Sequence, residues 1–468
     1  MAQASNSPLR LPLTPTIDTR DGQTNKDAKL VNGFLEKDAQ GEVWCRKRLG
    51  LASPQIDVGA SGTGLGVYYW QVGNSLLTIT GDGKVRNGQA VTLGTVDTSG
   101  SYWFNETLGT PNYVYMSNGV KAYTYSSSAA FAQITDVSYP SATVPGSAYV
   151  DGTLYVMDQS GKIWGSKNLN DPTAWDPLNE IPAQIEPDLG VAIAKQLIYV
   201  VAFKTWTTEI FYDAGQPIGS PLLPVQNAQI PIGCAAANTV EKISDDLYFV
   251  GQNRQQFKSA FVISGMKVHK ISTEAVDRML NIGGYTIGFQ MTMLGHRFYC
   301  ISSLILTPQT LAYDLETGEW QIWTENSTYL DVAHSSPGGN PAGSYLQSFT
   351  GNTLRVPSGY YDETPGLVSE PIVFDAVTTN FDGSTRSRKV LSRLKVIADQ
   401  NSAGSLLIRW SDDDYKTWSD WQTVNLQEEF PQLTQLGTFR RRAFQFRHQN
   451  STPFRMKAAE LDVLLGSF

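Results

Sequence analysis

The sequence of 468 residues contains few charged side chains and few cysteines. Asp, Glu, Lys and Arg make up 17% of the chain, which is a low share for a globular protein. The three cysteines, Cys45, Cys234 and Cys300, are too scattered for a paired-cysteine metal site, and their odd number does not suit a disulfide framework. They therefore indicate buried free thiols in a protein made in a reducing compartment.

Long hydrophobic runs are absent as well. No stretch reaches the roughly 18 apolar residues that a membrane-spanning helix needs. The N-terminal sequence MAQASNSPLRLPL lacks the hydrophobic core of a signal peptide. We therefore expect a soluble protein made inside a cell. The net charge of −8 argues against nucleic-acid binding over the whole surface, although it leaves room for a local basic patch.

Glycine and aromatic residues are plentiful, with 41 Gly, 21 Tyr and 11 Trp. Short strands of alternating apolar residues are joined by Gly, Asn and Asp turns, of which Asn118-Gly119 is the strongest hairpin signal. Such units begin roughly every 40–50 residues between positions 62 and 362, a period that suits propeller blades. The repeat predicts a β-propeller of six blades, with seven as the alternative. The best helix candidate is the short segment 273–281.

Two stretches fall outside this repeat. Residues 1–61 contain a pair of strands around Gln40-Gly41, and the strands after Pro365 are longer, as in an antiparallel sandwich. The sequence therefore predicts an all-β protein in three parts. Residues 1–61 supply strands that pack with the C-terminal domain, residues 62–364 form the propeller, and residues 365–468 form a β-sandwich or platform domain.

One short stretch, SDDDYKTW from Ser411 to Trp418, resembles the Asp box of sialidases and other β-propellers. It departs from that motif because Tyr415 stands where the motif has glycine. In such turns an aspartate accepts backbone N–H bonds and the tryptophan packs beneath the loop. We therefore predict a structural turn built on Ser411, Asp412 and Trp418.

Residue patterns that would support catalysis are not found. A glycosidase needs two carboxylates across a cleft, and a sialidase also needs clustered arginines, which here concentrate in the last 85 residues. The four histidines lack zinc-binding spacing, and no phosphate-binding loop or serine elbow is present. We expect no catalytic, cofactor or metal-binding residues. The competing class is a carbohydrate-active propeller, either a sialidase-like glycosidase or a glycan-binding protein.

The sharpest charge feature is the run FRRRAFQFRH at 439–448. Its arginines, Arg440, Arg441, Arg442 and Arg447, interleave with phenylalanines on an apparent strand. This pattern suits nucleic-acid binding, but it also suits a protein interface, where arginine and aromatic residues are enriched. Because the rest of the chain is acidic, we favour an interface between subunits. Alternation along a strand would place Arg441 and Arg447 on one face and Arg440 and Arg442 on the other, which predicts contact on both faces.

Four stretches, taken in order, resemble one protein family. They are VNGFLEKDAQGEVWCRKRLGL, LGVAIAKQLIYVVAFKTWTTEIFYDAG, IPIGCAAANTVEKISDDLYFVGQN and a closing segment with LIRWSDDDYKTWSD and LGTFRRRAFQFRHQNSTPFRMKAAELDV. Together they are similar to the tail hub or nozzle proteins of short-tailed bacteriophages (podoviruses), also called packaged-DNA stabilisation proteins. Thr438 stands where the closing segment of the family commonly has arginine.

This resemblance implies a structural protein of the virion tail that is assembled in the host cytoplasm. Six copies would form a tube beneath the portal and its adaptor, the head-to-tail connector, closing the DNA channel after packaging and conducting DNA at ejection. The implied partners are the adaptor, a tail fibre or tailspike, tail-tip proteins, and genomic double-stranded DNA that passes through the lumen without sequence-specific binding. An acidic chain suits such a lumen, because contacts that neutralise phosphates would hold the DNA.

Overall fold

The fold is known from a computed structural model. It describes residues 9–465 except for 12, 14–16, 19–26, 53–61, 89–90, 129, 217, 227, 283–285, 304–308, 326, 340–342, 357–358, 363–369 and 401–403. Over these residues the chain is built almost entirely of β-strands, so the predicted all-β fold is confirmed. The α-helix Glu274–Asn281 and the single 3-10 turn Ala237–Thr239 are the helical segments in this part of the chain. Neither is long and apolar enough to cross a membrane.

Six antiparallel sheets form the blades of the predicted propeller. Blade 1 contains Gly64–Trp70, Ser75–Thr80, Lys84–Asn87 and Val91–Thr95. Blade 2 contains Trp103–Glu106, Val114–Ser117, Ala122–Tyr125 and Ala132–Gln133. Blade 3 contains Ala148–Val150, Thr153–Met157, Lys162–Asn168 and Asp171–Pro182. Blade 4 contains Gly190–Gln196, Tyr199–Lys204, Thr208–Asp213 and Leu222–Pro224. Blade 5 contains Gly233–Cys234, Glu241–Ile243, Asp246–Gln252, Lys258–Ser264 and Lys267–Lys270. Blade 6 contains Thr286–Met293, His296–Ser303, Gln309–Asp314 and Glu319–Trp323.

A three-stranded sheet, here called the closing sheet, lies between blade 6 and blade 1. Its strands are His334–Pro337, Ser344–Gln347 and Thr353–Arg355. The hydroxyl oxygen of Ser335 accepts a bond of 2.9 Å from the backbone amide of Gln290 in blade 6. The hydroxyl oxygen of Ser336 accepts one of 2.9 Å from the backbone amide of Tyr69 in blade 1. Over the described residues, the ring of blades is closed by such side-chain bonds and by a backbone bond from the Gly64 amide to the Phe349 carbonyl, without a shared strand.

The C-terminal domain is a sandwich of two sheets. A seven-stranded sheet contains Leu9–Leu11, Gly33–Lys37, Val43–Lys47, Lys389–Ala398, Gln432–Thr434, Thr438–Phe439 and Arg455–Leu465. The facing sheet contains Lys29–Val31, Phe374–Val377, Ser405–Ser411, Gln422–Asn425 and Ala443–His448. A separate pair, Tyr361–Asp362 and Glu370–Pro371, precedes this domain. The core between the sheets includes the buried side chains of Leu30, Phe374, Leu394, Phe444 and Phe446.

The N-terminal strand Lys29–Val31 joins the propeller to the sandwich. It pairs in parallel with Glu319–Trp323 of blade 6 and antiparallel with Phe374–Val377 of the sandwich. Blade 6 and the facing sheet thereby become one continuous sheet of nine strands. Strands from the first 50 residues thus lie inside the C-terminal domain. The predicted boundaries at 61/62 and 364/365 fall at the segments 53–61 and 363–369, which lie outside the described residues.

Local signals account for most of these elements. Gly119 turns the hairpin of blade 2 with φ of +84°, a conformation that favours glycine. A Cβ atom at this position would also lie 2.6 Å from the carbonyl oxygen of Thr143, so glycine is required for both reasons. The predicted short helix is present, and the hydroxyl of Thr273 caps it by accepting a bond from the amide of Val276. These elements were predictable because each depends on residues adjacent in sequence.

Candidate functional site

The stretch SDDDYKTW forms a tight turn after the strand Ser405–Ser411. The carboxylate of Asp413 accepts bonds from the Thr417 amide at 2.9 Å and the Thr417 hydroxyl at 2.6 Å, and the Ser411 hydroxyl accepts one from the Tyr415 amide at 3.0 Å. The two bonds from Thr417 are the main causes that lower the pKa of Asp413 to about 2. The carboxylate that fixes the turn is therefore Asp413, and not the Asp412 that the sequence suggested.

Tyr415 has the backbone conformation that the Asp-box glycine would supply, with φ of +64°. Its ring is buried beside Val377, Ala443 and Trp418, and its hydroxyl donates a 3.0 Å bond to the carbonyl of Thr378. Burial and this hydrogen bond offset the cost of the left-handed conformation. The turn thus holds the loop against the sheet and points no reactive group into a cleft.

The sequence predicted one continuous strand for the arginine run, but the structure has two strands there. A bend at 440–441 separates Thr438–Phe439 from Ala443–His448, and Arg442 forms an isolated antiparallel bridge with Phe381. The Arg442 side chain is only 2% exposed and forms a bidentate pair with Asp412, with both distances at 2.7 Å. The structure therefore brings the two sequence-predicted groups together, with Asp412 of the turn holding Arg442 of the run.

The other arginines of the run differ in their surroundings. Arg447 is held by Asp375 at 2.6 Å. Arg441 is half exposed and lies 3.3 Å from Asp414. Arg440 is exposed and forms no ion pair with another described residue. Of the four arginines of the run, Arg440 and Arg441 are therefore the two that are exposed.

Trp418 of the predicted turn and Trp421, which the sequence did not single out, stack on Arg409 and Arg447. Arg447 lies 4.7 Å from the ring of Trp421, and Arg409 lies 4.4 Å from Trp421 and 4.9 Å from Trp418. The Arg409 guanidinium also donates a 2.7 Å bond to the side chain of Gln445. Alternating cation and ring layers hold this outer face of the sandwich in one conformation. Trp418 is therefore a stacking platform as well as a part of the turn.

A buried ion pair lies where the propeller meets the sandwich. The Arg48 guanidinium, with no exposed surface, contacts both carboxylate oxygens of Asp362 at 2.6 and 3.0 Å. It also donates to the side chain of Asn32 at 2.9 Å and to the carbonyl of Thr324 at 2.9 Å. Gly50 next to it approaches the chain so closely that a side chain would lie 1.7 Å from the carbonyl of Tyr361. These contacts tie the N-terminal segment to the end of blade 6 and to the strand pair that precedes the sandwich.

A cavity of about 350 Å³, partly open to solvent, lies on the propeller axis. The inner edges of all six blades and of the closing sheet line it. Its titratable lining residues include Lys195, Lys242, Glu241 and His334. Burial raises the pKa of Glu241 to about 8 and lowers that of His334 to about 4, so both are mostly uncharged at neutral pH. Over the described part of the chain, no three His, Cys, Asp or Glu side chains are arranged to hold a metal ion.

The sequence profile of the family described as bacteriophage P22 Gp10, beta-propeller matches residues 49–336. No curated protein matches the chain. Among solved structures, the streptogramin B lyase structure aligns with 66% of this chain and 97% of its own at 9% identity and a TM-score of 0.41. The crystal structure of BBS1N in complex with ARL6DN aligns with 66% and 98% at 13% identity and a TM-score of 0.44. Because the profile covers more than half of the 468 residues, the chain belongs to the bacteriophage P22 Gp10 family of phage stabilisation proteins.

Proposed function

We propose that the chain is the nozzle, or hub, subunit of a short-tailed phage tail. Six copies form a tube beneath the portal and adaptor that closes the DNA channel after packaging and conducts DNA at ejection. The observation that carries this proposal is membership of the phage stabilisation family. The subunit acts as a structural protein without an enzymatic step, in contact with the adaptor above and with fibres or tailspikes and tip proteins around and below. It is assembled in the host cytoplasm and resides in the virion tail.

The size of the axial cavity supports a lumen formed between subunits. A space of about 350 Å³ is in the range of small-molecule sites, far too small for a DNA duplex. Double-stranded DNA would therefore pass through the centre of a ring of subunits, and not through one propeller. With a net charge of −8 per subunit, such a ring contains few sites that would hold phosphates during transit.

The exposed arginines of the sandwich are proposed to contact a neighbouring subunit or the adaptor. Arg440 and Arg441 are available for this role, since Arg442 and Arg447 are occupied by Asp412 and Asp375. Arginine suits such a contact because its planar group can bind a carboxylate in two places. The Arg442 and Arg447 pairs position the surface from which the other two project.

Negative-stain imaging and sedimentation of the purified chain, alone and with its adaptor, test the assembly. We expect a six-fold ring with a central bore, and a particle that stays a monomer with and without the adaptor would contradict the proposal. The variant Arg440→Glu/Arg441→Glu should fold but fail to assemble. Its matched control is Arg254→Glu/Arg297→Glu, which makes the same charge change at exposed propeller arginines that are also ion-paired.

A DNA-binding titration across salt concentrations separates the interface role from a DNA role. If these arginines bind DNA, the double variant should assemble normally. Its affinity for DNA should fall, and that affinity should depend less steeply on salt concentration. That result would overturn the interface assignment. Unchanged assembly together with unchanged DNA binding would remove both roles from Arg440 and Arg441.

A further inference from the structure

The axial cavity contains cations that have no carboxylate partner. Lys195, at the end of the first strand of blade 4, and Lys242, in blade 5, both line it. Neither forms an ion pair with another described residue, whereas Lys204 in the same blade as Lys195 is held by Asp188 and Glu209. Burial, together with the charge of Lys242, lowers the pKa of Lys195. Two cations that repel each other in a partly enclosed space favour the entry of an anion.

Among the described residues, Glu241 is the one carboxyl group that lines this cavity, and it does not neutralise the lysines. Glu241 accepts a bond of 3.2 Å from the side-chain amide of Gln290, and burial raises its pKa to about 8. At neutral pH it is mostly protonated. The Gln290 amide also lies 3.2 Å from the carbonyl of Lys242, which fixes this wall of the cavity. The lining therefore carries a net positive charge inside a protein of net charge −8.

Another part of the lining, from blades 1 and 2, is aromatic and polar. Tyr68 and Phe104 stack with their ring centres 5.2 Å apart and nearly parallel planes, and Trp103 also lines the cavity. Asn105 belongs to the same wall and donates bonds to Ser147 of blade 3. Aromatic faces with a few convergent polar groups are typical of sites for ring-shaped polar ligands. The volume of about 350 Å³ suits a ligand of monosaccharide size.

We propose that this cavity binds an anionic sugar, with its carboxylate or phosphate against Lys195 and Lys242 and its ring against the wall of Tyr68, Trp103 and Phe104. The anionic group of the sugar neutralises the two lysines. The aromatic side chains favour a ligand with a ring over an inorganic anion. This site is independent of the assembly role, because it lies on the axis of one propeller and uses no residue of the sandwich.

Isothermal titration calorimetry with the full chain tests the site, with D-glucuronate, glucose 6-phosphate and neutral glucose as the probes. At least one anionic sugar should bind about tenfold or more tightly than glucose. The response to glucuronate and to glucose 6-phosphate shows which anionic group the lysines accept. Absence of binding by both anionic sugars up to ~10 mM, or equal binding of glucose, would overturn the proposal.

The variant Lys195→Gln/Lys242→Gln assigns any binding to this cavity. It should weaken the anionic sugar at least about tenfold. Lys267→Gln is the matched control, since Lys267 is an exposed lysine of blade 5 that does not line the cavity. Lys195→Arg should retain binding, and its thermal midpoint checks that the ring stays folded. Equal affinity in the double variant and in wild type would show that the sugar binds elsewhere and that the inference is wrong.

Discussion

Replacing Arg48 with methionine should destabilise the junction between propeller and sandwich more than replacing any surface arginine. The substitution keeps an apolar stem of similar length but removes the guanidinium, which donates to Asp362, Asn32, Leu49 and Thr324. The Asp362 carboxylate would then stay buried with the Leu51 amide, at 2.9 Å, as its remaining donor among these contacts. A buried charge without its counter-ion is the main source of the expected loss.

The magnitude follows from the burial of the pair. Removing one partner of a buried ion pair costs about 3–5 kcal/mol, and the fully enclosed Arg48 belongs in this range. Arg46, two residues earlier, forms a half-buried pair with Glu36 at 3.0 Å, for which ~0–1 kcal/mol is expected. The double variant Arg48→Met/Asp362→Asn should lose less than the sum of its single variants, because neither charge is then left alone.

Urea unfolding followed by tryptophan fluorescence and by circular dichroism measures these differences. We expect Arg48→Met to lower the free energy of unfolding by about 3–5 kcal/mol and Arg46→Ala by at most ~1 kcal/mol. If the junction couples the two domains, the two probes should agree in wild type and separate in Arg48→Met. Equal losses for the two arginine variants would refute the reasoning.

Three further predictions concern pH. Asp413→Asn should lower the thermal midpoint at pH 7. The difference from wild type should shrink as pH falls from about 4 to about 2, because a carboxyl whose pKa is lowered to about 2 adds its full stability above its ordinary pKa and loses it as pH falls through the folded-state value. Asp412→Asn serves as the neighbouring comparison and should not follow that pH profile. His448 is buried with its pKa lowered to about 3, so as pH falls below 6.5 the unfolded chain binds a proton at this histidine more readily than the folded chain does. Wild type should lose up to ~3 kcal/mol between pH 6.5 and 4, and His448→Gln should lose less in urea titrations. The pH dependence that Glu241 causes has the opposite sign. Because its pKa is raised to about 8, stability should fall as pH rises from 4.5 through 8. Glu241→Gln should abolish that fall, and an identical fall in the variant would exclude Glu241 as its source.

The strands, the hairpin turns and the short helix were predictable because their signals are local. The pairing of Lys29–Val31 between blade 6 and the sandwich was not, since its partners lie about 290 and 345 residues away in sequence and three residues carry no register signal. The same limit applies to the arginine run. Its ion-pair partners Asp412 and Asp375 lie 30 and 72 residues away, so the sequence showed the cations without their counter-ions.

One repeated signal in the sequence was missed. Two hairpins, Asp38–Trp44 and Asp158–Trp164, share an aspartate, a glycine three residues later and a tryptophan six residues later. In both, the aspartate accepts a bond from the tryptophan indole and another from a turn amide. Asp413 and Trp418 lack this direct bond among the described contacts. The spacing could have identified structural Asp–Trp turns without reference to sialidases.

The residues that carried the family resemblance at the N-terminus now have a physical reason. Asn32 and Arg48 bond to each other, while Gly33 and Gly50 allow Phe374 and Tyr361 to approach closer than any side chain would permit. The two glycine contacts join the N-terminal segment to later parts of the chain, and the Asn32–Arg48 bond lies beside them. A subunit that must hold its propeller and its sandwich in fixed relation needs such a junction. The motif at the N-terminus therefore has a structural role in connecting the two domains.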